Sequence, residues 1–366
     1  MEQEITLKKE GQGLAFLKPF ITKLTPKFQK EDMLHSLKKT GITIVSILLF
    51  LGLWHLGSEA LYNKEADYKI EKALSEQGQA AAEAERACIE SGDSSCQPNT
   101  LPSPAQVWRS LKSLIADHKV ITADKAAFAE KMAETNSKLV AQGKAAIVYT
   151  GRASFVDIVL TSIKTVFAGF LLALLIAVPI GIIIGLSPSL RSAFNWFIQV
   201  FKPVSPVVWY LLVFMIVKTL YIGDSSDNAF VISFISVGLC AMWATLVNTA
   251  MGVSSVDKDY INVAKVLKLG TFQKVFKVIL PSSLPLIFTG LRITLSVAWM
   301  VLIAIELLAQ SQGLGLFVWE EFQNGANDSN AKIIVAMFII GIIGFLLDRL
   351  MLTVQNMVSF NKNEGV

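Results

Sequence analysis

The sequence is poor in the residues on which polar chemistry depends. Only 17% of its 366 residues are charged, and it has three cysteines and three histidines. Soluble domains carry roughly 25% charged residues. Because the few histidines and cysteines do not cluster with acidic residues, the pattern argues against a metal-dependent hydrolase. No Gly-x-x-x-x-Gly-Lys-Ser/Thr motif occurs, so the chain lacks the phosphate-cradling loop of P-loop proteins. The net charge of +4 gives no indication of nucleic-acid binding.

The sequence is instead rich in long apolar runs. Hydrophobic residues make up 53% of the chain, which predicts an all-α polytopic membrane protein. About six spans are expected, at 42–61, 155–186, 193–218, 229–253, 284–310 and 331–354. Pro179, Pro203 and Pro206 could interrupt helices within them.

These spans divide the chain into five regions. They are a tail (1–40), a first transmembrane helix (41–61), a helical insertion (62–154), a core of five spans containing the loop 254–283 (155–355), and a second tail (356–366).

The short loops predict the orientation. Arg191 lies in one turn and five lysines from Lys258 to Lys277 lie in another loop, whereas 221–228 and 320–330 carry only acidic charges. Basic loops remain in the cytoplasm. We therefore expect a multi-pass protein of the bacterial inner membrane with both termini cytoplasmic and the insertion in the periplasm.

The insertion has its own helical signals. Lys64 to Ala87 reads as an exposed helix, and Ala123 to Gln142 as another. Between them, Ser103 suits an N-cap and Pro104 a first helical position. The helix that follows carries one apolar face suited to the membrane interface, formed by Val107, Trp108, Leu111, Leu114 and Ile115.

Cys88 and Cys96 bracket a short turn in this insertion. In an oxidising compartment they would form a disulfide, and the alternative is two free thiols. No histidine accompanies them, so no metal site is expected.

The segment Asp259–Pro281 is the longest basic, amphipathic stretch between two apolar runs. Its apolar residues suit helices that bury one face and present the other. Gly270 is expected to break it into two short helices. A basic loop between spans can present a surface to a soluble partner.

This segment resembles the cytoplasmic EAA loop of permease subunits of ATP-binding-cassette importers. That motif reads Glu-Ala-Ala, three residues, Gly, nine residues, Ile-x-Leu-Pro. The spacing is kept here in Asn262-Val-Ala264, Lys268 and Val278-Ile-Leu-Pro281, with Lys268 in the place of the glycine.

Other segments are similar to the nitrate/nitrite type of these permeases, whose wider group includes sulfonate, taurine, cyanate and bicarbonate permeases. They are Leu101-Pro-Ser-Pro104, Phe288-Thr-Gly-Leu-Arg292, Ala298-Trp299 through Glu306, and Gly313-Leu-Gly-Leu316.

The resemblance implies a type I importer permease fold and a division of labour between chains. The permease would move a small anion by alternating access, without being an enzyme and without a catalytic residue, metal or cofactor of its own. ATP and Mg would bind separate ATPase subunits, and the other partners would be a second permease copy, a periplasmic substrate-binding protein and the lipid bilayer. Contact with the ATPase would fall on Asn262, Val263, Ala264, Lys265, Val266, Leu267, Lys268, Leu269, Gly270 and Pro281.

A translocation path is expected among polar and aromatic residues of the spans. Lys164 would either attract an anion or pair with a carboxylate such as Glu306, which we interpret as a structural partner between helices. Trp209, Trp243, Thr245 and Asn248 are candidates for lining the path, with helix packing as their alternative role.

Nitrate or nitrite is the expected cargo, with sulfonate or taurine, cyanate and bicarbonate as alternatives. Two other classes stay open, a secondary transporter and a membrane scaffold whose insertion binds partners.

Overall fold

The computed structural model describes residues 30–92, 96–220 and 225–358. Both predicted tails lie largely outside these ranges, as does the start of the acidic segment 221–228. Every regular element in the described ranges is helical, which confirms the predicted fold class. The helices are α1 (Lys30–Gln77), α2 (Gln79–Ser91), α3 (Pro104–Ala141), α4 (Phe155–Leu186), α5 (Pro188–Phe201), α6 (Pro206–Leu220), α7 (Ser225–Ser254), α8 (Lys258–Val266), α9 (Thr271–Lys274), α10 (Leu280–Ala309), α11 (Leu314–Asn324) and α12 (Asn327–Val358).

Five helices in the described ranges are long and apolar enough to cross a membrane, and a bent pair makes a possible sixth. The prediction of one continuous span over 193–218 is wrong, because α5 and α6 meet at 99°. Pro203 and Pro206 lie at this break. A proline removes a backbone donor and disfavours helical geometry in the residue before it, so the helix stops and restarts here.

Contacts divide the chain into two units, Met1–Leu61 and Tyr62–Val366. The described part of the first unit is helical, and its apolar side chains are largely exposed, as Ile42 (71%) and Leu53 (63%) illustrate. Such an all-round apolar surface suits a helix whose surroundings are lipid.

The helices of the insertion differ from those predicted. Helix α1 runs on to Gln77 and ends at Gly78, whose φ of +86° favours glycine. The predicted helix 64–87 is therefore split between α1 and α2. Helix α3 is one element over Pro104–Ala141, covering the predicted helix at 123–142, and Ser103 caps it in a capping box as expected.

The apolar face predicted for α3 is divided by its packing. Val107 and Leu114 are buried, whereas Trp108 and Ile115 are 57% and 49% exposed. Since α3 packs along α12 and α4, the buried stripe follows Val107, Ser110 and Leu114. The prediction that all five residues form one apolar face at the membrane interface is therefore wrong for Val107 and Leu114, which pack inside the protein, whereas Trp108 and Ile115 remain free to meet the interface.

A disulfide joins Cys88 to Cys96 after α2. Cys96 belongs to a small core with Ala66 and Ile89. The Lys69 ammonium donates to the Cys96 carbonyl oxygen at 3.1 Å. The bridge thus ties the end of α2 to the first turns that follow Leu61 in the second unit.

Helices α4 and α7 form the centre of the core through small residues. Every fourth residue of α4 from Gly169 to Gly185 is glycine or alanine and is buried: Gly169, Ala173, Ala177, Gly181 and Gly185. A Cβ at Gly181 would lie 2.7 Å from the Thr249 Cβ of α7. Small residues let two backbones approach closely, which replaces the hydrophobic driving force that is weak between helices in lipid.

The remaining core helices fix two ends of the molecule. Helix α10 runs antiparallel to α7 and α12, as the order of contacts along each pair shows. Along α7, Gly252 lies beside Leu286 and Thr245 beside Thr294. Along α12, Arg292 contacts Asp348 and Trp299 contacts Ile340. Helix α3 crosses the first turns of α12 and α4: Ser110 donates to Asp328, and Lys125 pairs with Asp157 at 2.6 Å. We call this the insertion end, and the opposite end, where α8 and α9 lie, the loop end.

Candidate functional site

The loop between α7 and α10 packs against buried apolar residues on the side that faces the core. Val253, Val256 and Ile279 form a buried cluster against which Ile261 packs. Asp257 caps α8 by accepting from the Asp259 N–H at 3.0 Å. The loop therefore has a defined conformation at the loop end of the core.

The side of α8 that faces away from the core is apolar and exposed. Val263, Val266 and Leu267 are 56%, 81% and 64% exposed, and we call these three residues the docking face. With Asp259 and Asn262 they line a shallow concavity of about 380 Å³. Ala264, in contrast, is 1% exposed and belongs to the support of the loop. Of the predicted contact residues, Lys265 and Lys268 are exposed and Leu269 is half-buried.

Helix α8 ends in a Schellman motif centred on Lys268. The Leu269 N–H donates to the Ala264 carbonyl at 3.0 Å, and the Lys268 N–H donates to the Lys265 carbonyl at 2.9 Å. This motif places its C′ residue in the left-handed region, where glycine is favoured. Lys268 occupies that position with a φ of +50°.

The expectation that Gly270 breaks the segment is correct in effect but not in mechanism. Gly270 is the N-cap of α9 with an extended backbone, φ −62°. The left-handed residue that turns the chain is Lys268 instead. A π-helical turn, Val275–Ile279, then joins α9 to α10.

A buried carboxylate lies at the insertion end of α10. Glu306 is 1% exposed. Its Oε1 accepts from the Ser162 hydroxyl at 2.7 Å, and its Oε2 accepts from the Gly315 N–H at 2.9 Å. The Leu314 N–H donates to the Ser162 hydroxyl at 2.8 Å. Glu306 thus binds the N-terminus of α11, where a negative group is favoured by the helix dipole.

Two glycines allow this approach. A Cβ at Gly313 would lie 2.1 Å from the Glu306 Cδ, and one at Gly315 would lie 2.1 Å from the Ile303 carbonyl oxygen. We call Ser162, Glu306, Gly313, Leu314 and Gly315 the carboxylate clasp. Ser162 was not predicted. A hydroxyl within an apolar span is a weak signal, and its partner is 144 positions away in sequence.

Lys164 is exposed and does not pair with Glu306. Its ammonium lies 5.2 Å from the centre of the Phe230 ring. That geometry is a cation–π contact, which holds the charge near the insertion end of α7.

The other path candidates pack between helices. Thr245 and Thr294 are fully buried, their hydroxyl oxygens lie 2.7 Å apart, and Thr294 donates to the Ala241 carbonyl oxygen. The half-buried Asn248 donates its amide to the Ala244 carbonyl oxygen at 2.8 Å.

The tryptophans belong to an aromatic cluster. Trp209 and Trp243 lie 6.3 Å apart between ring centres, and Phe201 is within 6.2 Å of each. Trp243 is 4% exposed, so its ring is packed inside the chain. The cluster joins α5 and α6 to α7 across the 99° bend.

Comparison with known proteins identifies the family to which the sequence is similar. Residues 177–359 match the profile of the family "Binding-protein-dependent transport system inner membrane component". A nitrate import permease protein of Synechococcus elongatus is 34% identical over 201 residues, which is 55% of this chain and 69% of that protein. A bicarbonate transport system permease protein of Synechocystis sp. is also 34% identical, over 55% of this chain and 68% of its own length.

A solved structure has a weaker similarity. It describes inward-facing conformations of the MetNI methionine ABC transporter, and its match has 16% identity, a TM-score of 0.47, and coverage of 56% of this chain and 95% of that one. The family match covers half of the chain and includes the docking face and every residue of the carboxylate clasp except Ser162. The chain therefore belongs to the family of binding-protein-dependent transport system inner membrane components, the permeases of ATP-binding-cassette importers.

Proposed function

We propose that this chain is the permease subunit of an ATP-driven importer that carries a small anion into the cytoplasm, with nitrate as the first candidate and bicarbonate as the second. The observation that carries the proposal is the docking face. Three exposed apolar side chains, Val263, Val266 and Leu267, lie on a helix that is firmly supported by its own chain. An uncovered apolar surface of this kind indicates a protein partner.

The partner is an ATPase subunit, which holds the ATP and Mg. The apolar side chains of α8 would insert into a groove of that subunit, as an amphipathic helix does in other helix-in-groove complexes. Closing of the ATPase dimer would then move the loop and the α10 end attached to it as one body. Lys265 and Lys268 are exposed beside the docking face, where they would meet acidic groups at the rim.

The substrate class follows from the relatives. One relative named as a nitrate permease and one named as a bicarbonate permease each match with 34% identity over 201 residues. Nitrate and bicarbonate are both planar oxyanions with one negative charge. Bicarbonate is therefore supported as a substrate by the same kind of sequence match as nitrate.

The assembly would contain two permease chains, two ATPase domains and a substrate-binding protein. With the loop end in the cytoplasm, the insertion end and its disulfide would face the periplasm, where disulfides persist. The binding protein would then deliver the anion at the insertion end, near Lys164.

Transport by the reconstituted assembly tests the proposal. Vesicles that contain the chain, its ATPase and its binding protein should accumulate labelled nitrate or bicarbonate only with ATP, and vanadate should stop uptake. Vesicles that contain the chain alone should not accumulate either anion. Uptake by the chain alone would instead make it a secondary transporter and would overturn the proposal.

A further inference from the structure

One pair of charged residues lies within the spans and belongs to neither the docking face nor the carboxylate clasp. Arg292 is twelve residues beyond the start of α10, and Asp348 is ten residues before the end of α12. At about 1.5 Å per residue, both lie roughly 15–18 Å from the loop end of their helices. Charges at such a depth are costly in lipid, and they face protein or a water-filled cavity.

The two side chains form a fork. The Arg292 Nε donates to Oδ1 of Asp348, and Nη2 donates to Oδ2 at 2.8 Å. The remaining guanidinium hydrogens make no hydrogen bond within the described part of the chain. The packing of this chain does not cover the pair either, because its side chains keep 39% and 27% of their surface exposed.

A cavity of about 490 Å³ opens at this pair, between α10 and α12. The cavity is open on one side and is roomy enough to admit water. Besides Arg292 and Asp348, its polar lining consists of Thr289, Ser296, Gln355 and Asn356. Both hydroxyls donate to the backbone of their own helix, Thr289 to Pro285 and Ser296 to Arg292.

The donors left over at this cavity are those that an anion requires. The Gln355 and Asn356 amides make no hydrogen bond among the described residues, and both line the same cavity as Arg292, seven and eight residues beyond Asp348 toward the loop end. A guanidinium edge and amide N–H groups are both hydrogen-bond donors suited to the oxygens of a small oxyanion.

We infer that this cavity is an anion-binding station on the loop-end half of the translocation path, with Arg292 as its cation and Gln355 and Asn356 as its amide donors. Asp348 orients the guanidinium and cancels its charge, so the anion binds weakly enough to leave. A path needs sites that a substrate enters and also leaves easily. The inference rests on the proposed function for its substrate class, a planar oxyanion.

Cysteine labelling tests whether water and anions reach the cavity. The full chain, with Cys240 replaced by serine, is placed in vesicles of neutral phosphatidylcholine, and a single cysteine is introduced as Ser296→Cys. An anionic methanethiosulfonate should modify this cysteine at least tenfold faster than one introduced as Leu346→Cys. Leu346 is the matched control because it is exposed, apolar and two residues from Asp348.

Protection then tests anion binding. Sodium nitrate or sodium bicarbonate should slow labelling of Ser296→Cys several-fold relative to sodium gluconate. Arg292→Gln should abolish that protection, and Arg292→Gln with Asp348→Asn, which leaves no charge unpaired, should abolish it too. Equal labelling of the two cysteines, or no protection by either anion, would overturn the inference.

Two further arms separate the alternatives. If phosphatidylglycerol vesicles protect the cysteine and the free anions do not, the cavity binds a lipid headgroup and the inference is wrong. Because labelling needs neither ATP nor a partner, its result stands apart from a failure of ATP-driven uptake.

Discussion

At the insertion end, the carboxylate of Glu306 has both oxygens satisfied by Ser162 and Gly315 of the same chain. At the loop end, Val263 and Val266 are more than half exposed, with no group of the described chain covering them. A buried polar group must be hydrogen-bonded within the fold, whereas an apolar surface can stay exposed until a partner protein covers it. The two regions therefore differ in kind: the carboxylate clasp is complete within the fold, and the docking face is left uncovered for the partner that we propose.

Changes to the carboxylate clasp should have the largest effect, and that effect should be on folding. Glu306→Ala removes the acceptor of two buried donors, each worth about 1–3 kcal/mol. We expect the free energy of unfolding to fall by about 4 kcal/mol, measured by denaturant titration of the purified chain. Glu320→Ala, at an exposed carboxylate on α11, is the matched control. Equal stability of the two variants would remove the distinction between the two regions.

Changes to the docking face should spare folding and weaken partner binding. Val266→Asp places a charge at a position that is 81% exposed in the free chain and desolvated in the complex. We expect binding of the ATPase to weaken about 100-fold, or roughly 2.7 kcal/mol, with unchanged thermal stability. Titration of the detergent-solubilised chain with labelled ATPase measures the affinity.

Gln273→Asp adds the same charge on the neighbouring helix α9, outside the concavity, and should bind as the wild type does. Wild-type affinity of Val266→Asp would place the ATPase contact elsewhere. A charge at the buried Ala264 is a poorer test, since it would disturb the support of the loop itself.

The smallest expected effect concerns the Schellman turn between these roles. Lys268→Gly should stabilise the turn by about 1 kcal/mol, because glycine adopts a positive φ without steric cost. Hydrogen exchange at the Leu269 N–H, which bonds to Ala264, should slow about fivefold. Lys268→Ala removes the charge but keeps the Cβ, so exchange there should stay unchanged. Slower exchange in the alanine variant would point to charge rather than backbone strain.

The apolar helices were predicted well from the sequence, because the mean hydropathy of about twenty residues depends mainly on whether the segment is an apolar span. The sequence predicted α4 with its observed bounds. The same averaging concealed the break between α5 and α6, where Pro203 and Pro206 were the only local signal. The turn at Lys268 was assigned to Gly270 because propensity favours glycine, while the hydrogen bonds of α8 decide the position.

Long-range pairings were the least predictable. Glu306 was expected to act between helices, but its partners, Ser162 and the N-terminus of α11, depend on how α4 and α10 pack. Asp348 lies in an apolar run and was not singled out. Its depth in the span is a signal that sequence reasoning can use, but its pairing with Arg292 follows only from the antiparallel contact of α10 and α12.

The π-helical turn at Val275–Ile279 means that the number of residues between α8 and α10 affects the direction in which α8 points. Each residue of an α-helix turns the chain by about 100°, and a π turn takes in one residue more than an α turn does. Nine residues separate Lys268 from Val278. A residue deleted from the π turn itself is absorbed when the turn closes into ordinary α-helix. A residue deleted from the α-helix just beyond it, with the π turn kept, would instead rotate α8 by about 100° about the axis of α10. Every side chain of the docking face would be intact, yet it would point away from its partner.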